Sequence, residues 1–344
     1  MPTLQNKETI SATNLFVFNP EHDLALAVGC GPYTPPAKVV RLRKEFSLLP
    51  ALYAANSDFI IIPDKIPVTE LETLRFFDIA LKKNLKIISF EDIQNHLDDF
   101  SKIFPWGWDH AIYNDLSSYG VPPLMLPPPA QINKIRELSH RRTSIKFRER
   151  ISQLLGVTYK NPSLELFSIE ETELFLNQYP LSYYKAPWSS SGYGIVVSDH
   201  ISRKGLLEWS HGIIRKQGSL IAEPAWNRIF DFASEWWIKN KVPEFIGYSV
   251  FMTSSRGKYH GNMEGSQKML LDEIKKYAPG FDSRIIEAQK IVLAELIAPY
   301  YSGPLGIDMF VDSNGDINHC VEINLRFTMG FVNLNPEKYF KNET

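Results

Sequence analysis

The stretch GIDMFVDSNGDINHCVEINLR, residues 306–326, decides the fold of this chain. Apolar residues alternate with polar ones on both sides of the turn sequence at 312–316, a pattern typical of a β-hairpin. Glu322 and Asn324 are two apart and share one face of their strand, and Asp308 lies on the partner strand. The sequence therefore predicts a hairpin with one packed face and one polar face.

The polar face of this hairpin carries the side chains that a hard cation prefers. Mg²⁺ binds a few carboxylate or amide oxygens together with substrate phosphates, and Asp308, Glu322 and Asn324 supply such oxygens. Arg326 continues the face, where a guanidinium can bind a phosphate or a carboxylate with two hydrogen bonds. The alternative is a solvated face of cross-strand polar pairs. The alternating apolar positions, which favour the metal site, are Ile307, Met309, Val321 and Ile323.

A second stretch, LSYYKAPWSSSGYGIVVS at residues 181–198, places Lys185 at the end of an apolar strand and follows it with small residues. The backbone N–H groups and hydroxyls of such a loop can approach phosphate oxygens, and the lysine adds a positive charge. The same residues also suit a plain hairpin loop. The stretch matches neither the P-loop nor the dinucleotide-binding glycine motif, so phosphate binding is a hypothesis here.

The first third of the chain alternates between apolar strands and helical spacing. Short apolar runs at 15–18, 59–62 and 85–90 predict strands, and residues 68–85 predict a helix between the last two. Such a βαβ order implies a parallel sheet.

An acidic loop follows the first of these strands, in the sequence FNPEHDLALA at 18–27. Ligands bind beyond the carboxyl ends of parallel strands, so Glu21, His22 and Asp23 are candidates to face a substrate. In the alternative, Asp23 caps the helix that follows and His22 is exposed.

A proline-rich stretch, GVPPLMLPPPAQ at residues 120–131, suits neither a continuous helix nor a central strand. We place a domain boundary there. The sequence thus predicts an N-terminal α/β domain over 1–130 and a second domain over 131–344, whose two subdomains divide near residue 222.

The overall composition limits the classes of partner that this protein is expected to bind. The net charge of −2 provides no broad positive field for a nucleic acid. A basic run at 134–150 lacks the interleaved aromatic residues of an RNA site, and we interpret it as a solvated helix face with one phosphate contact. No apolar stretch approaches the roughly 18 to 20 residues that span a bilayer, and the polar start lacks the apolar core of a signal peptide. We expect a cytoplasmic protein with small-molecule partners, no nucleic acid and no membrane. A homodimer is the commonest assembly of cytosolic enzymes.

Four segments together resemble the ATP-grasp superfamily. They are YYKAPWSSSGYGI (183–195), LIAEPA (220–225), GIDMF (306–310) and VEINLR (321–326), and they occur in the order of that superfamily. The matching region covers 141–326, slightly more than half of the chain. The resemblance implies an α/β (α+β) protein, in which an ATP-grasp fold follows a Rossmann-like pre-ATP-grasp domain.

The resemblance also implies roles for single residues. Lys185 resembles the phosphate-binding lysine, Glu223 the hinge acid beside adenine and ribose, and Arg326 the arginine at the transferred phosphate, so Lys185 and Arg326 are the catalytic candidates. The loop at 189–194 resembles the lid loop of the superfamily, with Ser190, Ser191, Gly192 and Gly194 as implied nucleotide contacts. The other implied nucleotide contacts are Pro224, Ala225, Trp226 and Asp231. The implied metal ligands are Asp308, Glu322 and Asn324, which would hold Mg²⁺ or Mn²⁺. The basic residue that precedes the nucleotide-binding half could be Arg141, Arg142 or Lys146, and we take Arg142 as the working candidate.

The resemblance finally implies a reaction, in which Mg-ATP activates a carboxylate as an acyl phosphate that an amine or another nucleophile captures. Such a step needs charge neutralisation and alignment more than a protein nucleophile. Two alternatives stay open, namely a small-molecule kinase of the same fold and a nucleotide-binding regulatory protein without turnover. The substrates themselves are not predicted.

Overall fold

The computed structural model describes residues 13–63, 67–189, 194–253, 259–334 and 336–340. Its first third forms a parallel sheet with the strand order β3-β2-β1-β4, which confirms the predicted sheet type. The strands are β1 (Thr13–Val17), β2 (Phe59–Ile62), β3 (Lys86–Ser89) and β4 (Phe100–Pro105). The helices are α1 (His22–Val28), α2 (Ala37–Glu45), α3 (Val68–Leu71), α4 (Phe77–Lys82) and α5 (His110–Ser118).

Two features of this sheet differ from the prediction. The helix predicted over residues 68–85 is wrong as one element, because Phe76 takes a left-handed backbone conformation with φ of 68° and separates α3 from α4. The β4 strand was absent from the prediction. Its polar Ser101 and Lys102 hide the apolar pattern, and its pairing with β1 makes it a strand.

Helix α6 (Pro129–Leu138) begins inside the proline-rich stretch, with a proline in its first turn, and α7 (Arg142–Leu155) follows it. The next sheet has the antiparallel order β5-β8-β6-β7. Its strands are β5 (Leu164–Leu166), β6 (Ser182–Lys185), β7 (Ile195–Val197) and β8 (Leu220–Pro224), and its helices are α8 (Ile169–Gln178) and α9 (Arg203–Gln217). Tyr184, Leu220 and Ala222 pack under these helices, so Tyr183 and Lys185 lie on the opposite face.

The last sheet is antiparallel, with the order β11-β10-β9-β12-β13. The strands are β9 (Arg228–Lys239), β10 (Val242–Thr253), β11 (Tyr259–Asn262), β12 (Gly303–Asp312) and β13 (Ile317–Asn324). The helices are α10 (Gln267–Tyr277), α11 (Ser283–Leu296) and α12 (Met329–Asn333). The predicted hairpin at 306–326 is confirmed as β12 and β13.

Strand β9 shows how the last sheet separates a core from a polar face. Phe232, Trp236 and Ile238 belong to a large apolar core with residues of α7, α10 and α11. The alternate residues, Asp231 and Glu235, therefore point to the other side, where they line a cleft. The one-residue alternation thus puts the acidic groups of this sheet on a single surface.

The hairpin departs from the prediction at one place. Asp308 pairs with Glu322, but Phe310 pairs with Asn318 rather than with Cys320, so β13 holds extra residues between these pairs. As a result Cys320 packs in the core and Val321 lines the cleft, which is the reverse of the packing predicted for Val321. A bulge of this kind re-aims side chains beside a site.

The chain just after β13 is anchored to the N-terminal sheet. Phe327 stacks on Tyr53 with ring centroids 4.8 Å apart, and its N–H donates to the carbonyl of Trp106 at 2.9 Å. Phe331 and Phe340 belong to the same apolar core as Phe16 and Tyr53. The N-terminal sheet is therefore packed beside the polar face of the last sheet. The predicted domain bounds stay a prediction.

Helices able to cross a membrane were sought over the described ranges, and no helix there combines the length and the apolar character that crossing needs.

Candidate active site

A cleft of about 1220 Å³ lies where residues of all three sheets meet. A pocket for one drug-sized ligand usually measures about 300 to 1,000 Å³, so this cleft has room for more than a single small ligand. Lys185 and Glu223 line it from the middle sheet, Asp308 from the last sheet, and Phe18 from the loop that follows β1.

The predicted metal ligands lie side by side in this cleft. Asp308 and Glu322 are directly opposite each other on β12 and β13, and Asn324 is opposite Gly306. The amide nitrogen of Asn324 donates to Asp308 Oδ2 at 3.1 Å. Burial, and then the charge of Glu322, raise the pKa of Asp308 to about 6. The two carboxylates therefore repel each other in a place where a cation would stabilise both.

The predicted ligands are too few to hold a metal ion by themselves, so a cation here would also need phosphate oxygens as ligands. In the parts of the chain that the structure describes, no group of three or more His, Cys, Asp and Glu side chains could hold a metal ion. The predicted set instead has two carboxylates and one amide. That set fits Mg²⁺ bound to ATP, because this ion commonly takes one or two carboxylates plus phosphate oxygens.

Arg326 extends the polar face toward the N-terminal sheet. Its Nε donates to Asp23 Oδ2 at 3.1 Å, its Nη2 to the amide oxygen of Asn324 at 3.1 Å, and its Nη1 to the carbonyl of Phe327 at 3.0 Å. The contact with Asp23 joins residues that are 303 positions apart in the sequence. Arg326 is thus held beside the predicted ligands by both ends of the chain.

The opposite wall of the cleft carries two buried cations. Arg141 Nη1 pairs with Glu322 Oε2 at 2.8 Å, and its other donors bind the carbonyl of Ala186 at 3.1 Å and the hydroxyl of Ser189 at 3.1 Å. Lys185 is also buried and contacts Glu223. Arg141 therefore links the predicted metal ligands to the end of the strand that carries Lys185 and to the loop that follows it.

Lys185 and Glu223 form a buried ion pair in which Ser163 also donates to Glu223, at 3.2 Å. Burial lowers the pKa of Lys185, although the Glu223 carboxylate opposes this shift. Burial also acts to raise the pKa of Glu223, but the charge and hydrogen bond of Lys185 outweigh it and lower that pKa. In the structure Glu223 thus contacts the catalytic-candidate lysine, whereas the sequence had assigned this acid to adenine and ribose.

The other predicted adenine and ribose contacts form two groups in the structure, one that lines the cleft and one that does not. Pro224 and Ala225 are not among the described residues that line the cleft, and the N–H of Ala225 donates to Leu181 at 2.9 Å. Trp226 and Asp231 do line it, and Asp231 pairs with Arg228. The geometry therefore favours Trp226 and Asp231 over Pro224 and Ala225 as nucleotide contacts.

The predicted lid loop is only partly described. Ser190, Ser191 and Gly192 lie outside the described residues. At its base the N–H of Ala186 donates to the carbonyl of Gly194 at 2.7 Å. Gly194 has φ of 71°, and a Cβ there would lie 2.8 Å from the Cβ of Ser189, so glycine is needed to close the loop.

The structure separates the basic candidates at the start of α7. Arg142 pairs with Glu165 at 2.8 Å, is not among the described residues that line the cleft, and has a side chain that is 42% exposed. Lys146 is also exposed. Arg141 is buried and lines the cleft. The placement therefore argues against the working candidate Arg142 and for Arg141, because helical neighbours point in different directions.

This difference predicts the effect of two matched variants. We expect Arg141→Ala to weaken Mg-ATP binding roughly tenfold or more, because it removes a buried charged donor from the cleft. Arg142→Ala, made one residue away, should change the dissociation constant less than about twofold. Isothermal titration of both proteins measures this, and a larger loss in Arg142→Ala than in Arg141→Ala would contradict the assignment.

The acidic loop after β1 divides between the cleft and the core. Asp23 lines the cleft and pairs with Arg326. Glu21 pairs with Arg43 at 3.0 Å and His22 with Asp109 at 3.3 Å, and both are buried. The expectation that His22 is exposed is wrong, and Glu21 and His22 lie outside the described lining of the cleft.

Sequence reasoning missed one acid in the cleft. Glu235 is 1% exposed, lines the cleft and accepts hydrogen bonds from Ser249 and Thr328. A signal existed, since Asp231 and Glu235 alternate with apolar residues along β9 and so share one face of the strand. Their strand lacked a known motif, and the sequence alone did not show that this face borders a cleft.

Comparison with solved structures agrees with this architecture. The biotin carboxylase β,γ-ATP complex from Campylobacter jejuni matches 96% of this chain and 72% of its own, with a TM-score of 0.55 and 13% identity. The biotin carboxylase domain of Hydrogenobacter thermophilus 2-oxoglutarate carboxylase, solved with MgADP, ADP and bicarbonate, matches 94% of this chain and 68% of its own, with a TM-score of 0.54 and 14% identity. No protein-family model and no curated protein sequence matches the chain.

The fold and the arrangement of its sheets thus define the class: the chain has the ATP-grasp fold, as the sequence predicted.

Proposed function

We propose that this protein is a Mg-ATP-dependent ligase that activates a carboxylate as an acyl phosphate and transfers the acyl group to an amine. The proposal rests on one observation, namely that acidic residues of the last sheet and the basic residues Arg141 and Lys185 line the same cleft. Asp308 and Glu322 face each other on the last sheet, and Arg141 connects them to the strand that carries Lys185. The likeness to folds solved with nucleotides supports this proposal.

Basic residues of the cleft would bind phosphates, and acidic and amide residues would bind the metal ion. Lys185 and Arg141 would bind the phosphates of ATP, and Asp308, Glu322 and Asn324 would hold Mg²⁺, which neutralises phosphate charge when bound. Arg326 would orient the carboxylate substrate toward the γ-phosphate, since a guanidinium can bind a carboxylate with two parallel hydrogen bonds. The carboxylate oxygen then attacks phosphorus and ADP leaves, and alignment rather than a protein nucleophile supplies the acceleration.

Thermal unfolding with and without Mg-ATP tests the nucleotide site. At 100 times the dissociation constant, ligand binding should stabilise the folded protein by about 2.7 kcal/mol. We expect an increase in Tm that needs Mg²⁺ and is lost in Glu322→Gln, which keeps the shape of the side chain but removes a charge. No increase at millimolar Mg-ATP, with the wild-type protein folded, would refute the proposed function.

Hydroxylamine distinguishes the ligase from a kinase of the same fold. An acyl phosphate reacts with hydroxylamine to give a hydroxamate, whereas a phosphorylated alcohol does not. Incubation with Mg-ATP, hydroxylamine and a panel of carboxylates should therefore yield ADP and hydroxamate in equal amounts. ADP release that requires an alcohol, without hydroxamate, would favour the kinase.

A further inference from the structure

The cleft extends beyond the predicted nucleotide and metal contacts to a second end that the steps above leave unused. We call it the acceptor end, and it is lined by Phe18, Leu49, Trp106, Glu235, Ser249 and Thr328. Phe18 and Trp106 follow β1 and β4 directly, and Glu235 comes from β9 of the last sheet. The carbonyl of Trp106 accepts from the N–H of Phe327, the residue before Thr328, and Thr328 donates to Glu235. The acceptor end thus combines an apolar wall with a buried acid.

Glu235 is built into this end by its neighbours. The hydroxyl of Ser249 donates to Oε1 and that of Thr328 to Oε2, both at 2.8 Å. Two glycines make space for the carboxylate, because a Cβ at Gly330 would lie 2.1 Å from Oε1 and one at Gly306 would lie 2.8 Å from Oε2. The carboxylate is therefore held in one position by four surrounding residues.

Within the described ranges the Glu235 side chain forms no ion pair, although the charge of Arg326 acts to lower its pKa. Within the described ranges, its side-chain hydrogen bonds come from two neutral hydroxyls. The basic side chain nearest in the cleft, Arg326, is bonded to Asp23 and Asn324. Burial raises the pKa of Glu235 to about 7 even though both hydroxyls favour the charged form. A buried carboxylate is costly without a positive partner, so a cationic ligand would be stabilised here.

Strand register places Glu235 close to the reaction centre. Glu235 pairs with Gly306 on β12, and Gly306 pairs with Asn324 on β13. Ala233, two residues before Glu235, pairs with Asp308. Because rows of one sheet face are two residues apart, the row of Glu235 lies about 7 Å along the strands from the row of Asp308. The missing side chain of Gly306 leaves the space that the Glu235 carboxylate and the Thr328 methyl group occupy.

We propose that the acceptor end binds the amine substrate as a primary ammonium group on an apolar or aromatic body, with the carboxylate of Glu235 receiving the ammonium group. The role of that amine as second substrate rests on the proposed ligase function. The class of ligand follows from the cleft itself. Phe18 and Trp106 pack edge to face at 5.2 Å and present the apolar wall that would contact the body of the amine.

Binding to the full-length protein tests this class of ligand without turnover. The probes are 2-phenylethylamine and 3-methylbutylamine, each compared with the alcohol of the same shape, by calorimetric titration with and without Mg-ADP. We expect each amine to bind the wild-type protein at least tenfold more tightly than its alcohol. In Glu235→Gln this preference should fall roughly tenfold or more, since a hydrogen bond to a charged group is lost. Glu244→Gln, an exposed acid on β10, should retain it.

The wild-type comparison and the Glu235→Gln comparison test the amine site, and the binding of Mg-ADP tests the ligase function. Equal binding of amine and alcohol to the wild-type protein would overturn the proposal, and so would an amine preference that persists in Glu235→Gln. The wild-type comparison needs no variant, so the proposal is tested even if the substitution prevents folding. If the amine preference is present but Mg-ADP does not bind, the ligase function fails while the amine site stands.

Discussion

Asp308→Asn is expected to lower ADP release on the order of 100- to 1,000-fold while the protein stays folded. Such losses follow when one preorganised electrostatic contact to a transition state is removed. Asp308 lies opposite Glu322, and the amide keeps its shape while it removes the charge that a cation would bind. Coupled-enzyme measurement of ADP release under saturating Mg-ATP, with the carboxylate found by hydroxamate formation, determines the loss.

Folding of this variant should be unimpaired for an electrostatic reason. Burial and the Glu322 charge raise the pKa of Asp308 to about 6, so its ionised form is disfavoured in the folded protein. A neutral amide removes that repulsion, and Tm at pH 8 should not fall. Asp316→Asn, in the turn of the same hairpin, is the matched control and should keep full activity. Retention of more than half of the ADP release by Asp308→Asn would contradict the metal assignment.

Lys185→Met should cost about 3 to 5 kcal/mol of the free energy of unfolding, the loss expected when one partner of a buried ion pair is removed. The side chains of Lys185 and Glu223 are 7% and 9% exposed, so the substitution leaves a buried carboxylate without its ion-pair partner. Urea unfolding followed by fluorescence and circular dichroism measures the loss. The double variant Lys185→Met with Glu223→Leu should recover most of it, because an apolar pair needs no charge compensation.

The pH dependence of that loss provides a second check. Without Lys185, burial should raise the pKa of Glu223 above its ordinary value of 4.5. A carboxyl group whose pKa is raised on folding stabilises the folded state at low pH and loses that contribution as the pH rises through the raised value. The deficit of Lys185→Met should therefore be smallest near pH 4 and grow toward neutrality. A deficit independent of pH would show that lost packing, rather than charge, causes it.

An exposed ion pair gives the control for this comparison. Lys160 pairs with Asp316 at 3.1 Å, and their side chains are 78% and 47% exposed. Lys160→Met should change the free energy of unfolding by less than about 1 kcal/mol, because solvent screens such pairs. A comparable loss in both variants would contradict the importance of burial at Lys185.

Local patterns were enough to predict several elements of this fold. The alternation around residues 312–316 predicted the hairpin, and the apolar runs at 15–18 and 59–62 predicted strands, which the structure has as β1 and β2. These signals work because side-chain alternation along a strand and side-chain spacing around a helix depend on residues a few positions apart. The ATP-grasp fold itself was predicted from the order of four short motifs.

The composition of the cleft depended on contacts between distant residues. Arg141 and Arg142 are neighbours with the same side chain, and only packing shows which one reaches Glu322. The sequence contains no sign that Asp23 contacts Arg326, since the direction in which each side chain points is decided by how the sheets pack.

The sequence alone therefore determined several strands, the polar face of the hairpin and the resemblance to the fold. The tertiary structure decided which charged residues share the cleft, that Glu223 pairs with Lys185, and that Glu235 is buried with two hydroxyls as its hydrogen-bond donors. The physical reason is the separation in sequence between the residues that interact. Periodicity reports on residues a few positions apart, whereas burial and electrostatic pairing arise between residues that the folded chain brings together from anywhere in the sequence.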